Sequence, residues 1–164
     1  MPKQNSKLKI RDPFVMNEDQ VNESVANFLK EHGFNTHFLT GRSKGIDVEG
    51  SKNGWEIFVE SKGSHANDHD NDTVFQTKQI KTHTYVQIGK LMEYKNRKKS
   101  NALFAMANPD IPRIRNRVDL VKDSLDILGF IRLWIQADNT VIVEYPNELN
   151  NILSSLKIVP NKKS

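Results

Sequence analysis

The chain has 164 residues, enough for one domain with a substantial core, and 37% hydrophobic with 27% charged residues suits a globular protein with a well-charged surface. No run approaches the ~18 apolar residues of a membrane span, no apolar stretch near the N-terminus suggests a secretory signal, and the lack of cysteine excludes disulfides and thiolate metal sites. The default expectation is therefore a cytoplasmic protein without a membrane partner, and a net charge of +4 favours a polyanionic partner.

Residues 1–13 carry little apolar content but include Lys3, Lys7, Lys9 and Arg11, which predicts a flexible basic arm. Asn17 with Gln20 has the spacing of a capping box. Val21, Val25, Phe28 and Leu29 continue it as an apolar helical stripe, and Gly33 ends it. Asn35–Thr40 reads as a strand, and Gly41–Gly45 as a basic loop carrying Arg42 and Lys44. Two strands follow, Ile46–Gly50 and Trp55–Lys62, joined at Asn53-Gly54, because a type I′ turn requires positive φ at both central residues. That turn sets the register: Lys52 faces Trp55, Gly50 faces Ile57, Val48 faces Val59 and Asp47 faces Glu60. Alternation then puts Asp47, Glu49, Phe58, Glu60 and Lys62 on one face. Ile46, Val48, Trp55, Ile57 and Val59 fall on the other, the more apolar one.

Ser64–Thr73 is rich in His and Asp but lacks the spacing of a calcium loop or a helical zinc site, so a flexible polar loop is expected. Thr73 with Gln76 suggests a second capping box, opening a helix from Val74 to about Tyr94 with Gln79 and His83 on one face. Lys95, Arg97, Lys98 and Lys99 form a basic cluster beyond it. Asn101–Ala107 reads as a buried strand and Asn108-Pro109-Asp110 as a turn. One helix is then expected from Pro112 to Leu128, stopped by Gly129 and bearing Arg113, Arg115 and Arg117. Phe130–Gln136 and Val141–Tyr145 form a predicted hairpin around Asp138-Asn139, and Asn147–Leu156 a short final helix. The basic clusters are candidate phosphate contacts.

Chemistry concentrates on the first hairpin. Two carboxylates opposed across a strand pair have Cβ atoms roughly 4.5–5.5 Å apart and repel, whereas a hard divalent cation turns that repulsion into coordination. Asp47, then twelve residues, then Glu60-Ser61-Lys62 resembles the D…(D/E)-x-K signature of the PD-(D/E)xK nuclease superfamily. G-I-D-V followed by a hairpin and F-V-E-S-K is most similar to its Mrr-like and Holliday-junction-resolvase-like branches, with Ile46 where the superfamily has proline. The resemblance implies an α/β, restriction-endonuclease-like αβββαβ core with a mixed sheet over residues 17–107, an α-β-β extension over 108–164, and one nuclease domain in all. It implies Mg²⁺, with Mn²⁺ able to substitute, held by Asp47, Glu60 and the Ser61 carbonyl, with Lys62 catalytic and Gln79 supporting it. Members often add an acidic residue on the first helix; Asn22 stands at that position here, which leaves Glu18 and Glu23 as candidates. The implied activity is DNA cleavage of restriction or repair type, by a protein that often acts as a homodimer. An RNA-cleaving relative and a non-catalytic nucleic-acid-binding module are the alternatives.

Overall fold

The computed structural model describes residues 1–38, 45–98 and 100–160. Its elements, in order, begin with a two-residue strand β1 (Lys3–Gln4) and a 3-10 turn at Asn5–Lys7. Helix α1 (Glu18–Glu31), β2 (Asn35–Phe38), β3 (Val48–Lys52) and β4 (Trp55–Ser61) follow. Then come the short β5 (Thr73–Val74), the long α2 (Thr77–Arg97) and β6 (Ala102–Pro109). The chain continues through α3 (Pro112–Asp119), α4 (Lys122–Leu128), β7 (Phe130–Ile135) and β8 (Val141–Glu144), and then α5 (Asn150–Ser155). A six-stranded mixed sheet runs in the order β2-β3-β4-β6-β7-β8, parallel at β4-β6-β7 and antiparallel towards both edges. The molecule is thus α/β, with helices flanking the sheet.

Both faces of the central strands are buried, because parallel neighbours need crossover helices and these cover the sheet. Val21, Val25 and Leu29 of α1 pack on Val48, Ile57, Val59, Leu103, Ala105, Ile131 and Leu133. Ile80 and Leu91 of α2, Ile114 and Val118 of α3, and Leu125 of α4 pack on Phe58, Phe104, Met106, Phe130 and Trp134. The face carrying Glu60 is therefore interior, not solvated, and Glu60 is 2% exposed.

The first hairpin keeps its predicted register: Val48 pairs with Val59, Gly50 with Ile57 and Lys52 with Trp55. Asn53 (φ 51°) and Gly54 (φ 80°) take the positive angles that the tight turn demands. Strand β3 starts only at Val48, so the ladder stops short of the predicted Asp47–Glu60 pair and alternation does not extend back to Ile46. Ile46 packs with Phe58 and Leu91 on the opposite face to the one predicted, and its N–H donates to the Tyr94 hydroxyl (2.9 Å).

Several elements depart from expectation. The first 13 residues are docked, not free: β1 pairs antiparallel with β5, and Asn5 N–H donates to the Asp72 carbonyl (2.6 Å). Asp12 is buried and takes two bonds from Arg113, including Nε to Oδ1 at 2.7 Å. Helix α2 begins at Thr77, because Thr73 and Val74 are used by β5 and the capping box is Gln76 with Gln79. The single helix expected over 112–128 is two, broken where Val121 N–H turns to Val118 O and Val121 caps the second. Strand β2 ends at Phe38 in the described part, and Leu39 and Thr40 of its predicted range lie outside the described residues, as do Arg42, Lys44 and Lys99. No helix among the described residues is long and apolar enough to cross a membrane.

Candidate metal centre

Three elements deliver one carboxylate each. Glu18 is the first residue of α1, fixed by a complete capping box in which Gln20 N–H donates to Asn17 Oδ1 (2.8 Å) and Asn17 N–H to Gln20 Oε1 (2.8 Å). Gly63 lets that helix start come close: a Cβ there would stand 2.6 Å from the Asn17 carbonyl carbon and from the Glu18 nitrogen. Asp47 sits just before β3, and its Oδ2 accepts from Ser61 N–H (2.9 Å), tying the start of one strand to the end of the next. Glu60 lies near the end of β4. One ligand oxygen of each of Glu18, Asp47 and Glu60 lies within 4.8 Å of the others.

Helix α2 clamps Glu60 from the sheet's other side. Gln87, fully buried, donates through Nε2 to the Glu60 carbonyl (2.8 Å) and to the Ala107 carbonyl (3.2 Å). Lys90 Nζ lies 2.8 Å from Glu60 Oε2, a charge contact that lacks the alignment of a hydrogen bond. Lys62 follows β4 and lines a small cavity of about 270 Å³ with Glu18, His65, Phe75 and His83. Among the described residues Lys62 makes no ion pair. A larger cavity of about 750 Å³, between α1 and the β7–β8 turn, is lined by Phe28, Glu31, Asp138 and Val143 and includes none of the three carboxylates.

Burial and mutual repulsion dominate the electrostatics. Glu18 is pushed up to about 7, first by burial and then by the charge of Asp47, against the pull of Lys62. Glu60 is also pushed up, first by burial and then by the Asp47 carboxyl, and the Lys90 ammonium opposes this. Burial penalises the Lys90 ammonium, but its bond to Glu60 and the charges of Glu60 and Asp47 outweigh this and raise it. A raised Glu60 and a raised Lys90 pull in opposite senses for one pair. The 2.8 Å contact favours the charged lysine. His83, edge-on to Phe75 with ring centroids 4.5 Å apart, is held below its usual range by burial and then by Lys62.

Of the first-helix candidates the structure brings in Glu18; Glu23 is exposed and outside the cluster. Asn22 is buried with its Oδ1 unpartnered, one helical turn beyond Glu18. Gln79 does not reach the cluster, since its Oε1 accepts from Gln76 N–H (2.7 Å) and closes the N-terminus of α2. Gln87 and Lys90 were missed. The legible signal was the stripe Ile80, Thr84, Gln87, Leu91, which sets a glutamine among inward positions of the helix.

The basic residues divide. Arg113 is bound to Asp12 and to the Phe75 carbonyl (2.7 Å). Arg115 makes a bidentate pair with Asp110 (2.6 and 3.1 Å) and stacks 4.0 Å from the Trp134 ring. Both guanidiniums are engaged with carboxylates of the chain itself. Arg117 lies over the Tyr85 ring. Lys95, Arg97 and Lys98 are exposed at the end of α2, with their charged groups over the rings of Phe104, Tyr94 and Phe58.

Three carboxylates brought together from three elements, one of them buried, fit a hard cation that prefers oxygen donors. No family model, curated protein or solved structure matches the chain.

Proposed function

We propose that this chain is a divalent-metal-dependent nuclease of the PD-(D/E)xK type that hydrolyses DNA phosphodiester bonds. The observation that carries the reading is the convergence of Glu18, Asp47 and Glu60 from three elements, beside Lys62 at the end of β4. The order α1-β2-β3-β4-β5-α2-β6, in which the short β5 pairs with β1 outside the main sheet, supports placing residues 17–107 in a restriction-endonuclease-like core, with the remaining helices and strands as its extension.

In this reading Asp47, Glu60 and Glu18 hold Mg²⁺, or Mn²⁺ in its place, with the Ser61 carbonyl as a further donor. The ion supplies charge neutralisation at the phosphate and lowers the pKa of a water. Asp47 both binds and aligns, because its second oxygen fixes the Ser61 amide next to Lys62. Lys62, without an ion pair among the described residues, orients the attacking water and stabilises charge that develops on the phosphate oxygens. Gln87 keeps Glu60 from twisting away by holding its backbone to that of Ala107. Lys95, Arg97 and Lys98 contact phosphates without reading sequence. Two copies of the chain acting together would cut both strands.

The test is nicking of supercoiled plasmid with Mg²⁺ and its loss with EDTA. Lys62→Ala should abolish nicking and leave DNA binding nearly intact, because Lys62 acts on the transition state. Nicking that persists within about tenfold of the parent removes Lys62 from the mechanism.

A further inference from the structure

One positive charge already stands at the carboxylate cluster, and it is not Lys62. Lys90 Nζ lies 2.8 Å from Glu60 Oε2, while the Glu60 side chain is 2% exposed and that of Lys90 35%. Glu60 cannot leave: its carbonyl is fastened to Gln87, one helical turn before Lys90, and its strand is central in the sheet. Lys90 can, because it is partly open to solvent and carries its charge on a flexible four-carbon stem. Its hold on Glu60 is one 2.8 Å contact to a single carboxylate oxygen, which a doubly charged cation can take over without any movement of the backbone.

Resting on the metal-binding reading above, we infer that Lys90 is a built-in counter-ion, which holds Glu60 in the metal-free protein and swings out to solvent when a divalent cation takes the cluster. Two positive charges cannot share one buried carboxylate without strong repulsion, since the low local polarity that favours each alone also magnifies their conflict. Lys90 therefore acts as a positioning residue. It keeps three carboxylates from pushing the ends of α1 and β4 apart in the absence of metal, and it weakens metal affinity by competing for Glu60.

Trace acylation of lysines in the intact protein, read by mass spectrometry with and without saturating Mg²⁺, tests the movement without requiring turnover. Lys90 should react at least about threefold faster with Mg²⁺, while Lys81, exposed on the same helix, should not change. Calorimetric titration with Mg²⁺ should show Lys90→Met binding at least about fivefold tighter than the parent. Mg²⁺ binding with unchanged Lys90 reactivity overturns the inference even if Lys90→Met binds tighter, because that gain is then only the loss of a nearby charge. Weaker binding by Lys90→Met overturns it too, and leaves the metal-centre reading standing. No Mg²⁺ binding by parent or variant overturns both.

Discussion

Glu60, buried, and Glu18, half-buried, are carboxyl groups whose ionisation the fold resists, and this gives the metal-free protein an unusual pH dependence. A group raised on folding contributes stability fully below its unfolded value, near 4.5, and loses that contribution as pH rises through the folded value, about 7 for Glu18. Metal-free melting temperature should therefore fall between about pH 5 and pH 8. Lys90 is shifted above an ordinary value of 10.5 and does not act in this window. Metal competes with those protons, so the stabilisation by Mg²⁺ should grow over the same interval. Melting curves at several pH values with and without Mg²⁺ measure both, and a metal-free melting temperature that rises steadily with pH would contradict the raised carboxyls. Asp47→Asn tests the same residues by charge. The amide oxygen can still accept from Ser61 N–H, so fold and metal-free stability should be kept or slightly improved, while the Mg²⁺ shift mostly disappears. Equal Mg²⁺ shifts in parent and variant would show that Asp47 is no ligand.

At the scale of elements, the cluster depends on a close approach of the backbone that follows β4 to the start of α1. Gly63 permits it: any side chain there collides with the backbone of Met16, Asn17 and Glu18, none of which is a flexible tip. Gly63→Ala should displace the start of α1 and carry Glu18 away from Asp47 and Glu60. The expected cost is about 1–3 kcal/mol of stability, together with a reduced Mg²⁺ shift in melting temperature. A variant that loses stability yet keeps the full Mg²⁺ shift would place Glu18 outside the metal set. The N-terminal arm is a second such dependence. Asp12 is buried against Arg113, and removing the guanidinium should cost roughly 3–5 kcal/mol by stranding a buried charge; Arg113→Ala read by chemical denaturation measures it.

For the whole molecule, the net charge of +4 conceals an uneven division of labour. Arg113, Arg115 and the buried Arg132 spend their charge on Asp12, Asp110, Asp126 and Glu144. That leaves Lys95, Arg97 and Lys98, exposed at the end of α2, as the described members of the predicted clusters best placed to meet a polyanion. If they contact phosphates, the log–log salt dependence of duplex binding should flatten by roughly 0.9 for each one neutralised. Lys95→Ala with Lys98→Ala should thus reduce the slope by about two. An unchanged slope returns them to ordinary surface.

What the sequence determined by itself was local. The Asn17–Gln20 cap, the Asn53-Gly54 turn and the register of the hairpin from Val48 to Val59 depend on spacings of a few residues, where backbone geometry leaves little choice. The strands β4, β6 and β7 were equally present in the sequence, but for β4 the covering of both faces was not, because its charged face reads as solvated until a helix is seen to lie on it. Tertiary structure alone decided that Glu18 and not Glu23 joins the cluster, since that choice depends on how α1 is rotated against β4. It also decided that Gln87 and Lys90, and not Gln79, grip Glu60, because Gln79 falls in the first turn of α2 and its side chain is taken up by the capping box with Gln76. And it turned Arg113 and Arg115 inward, since a charge run in sequence shows the sign of its charges but not the carboxylates, up to 101 positions away, that the fold brings to meet them.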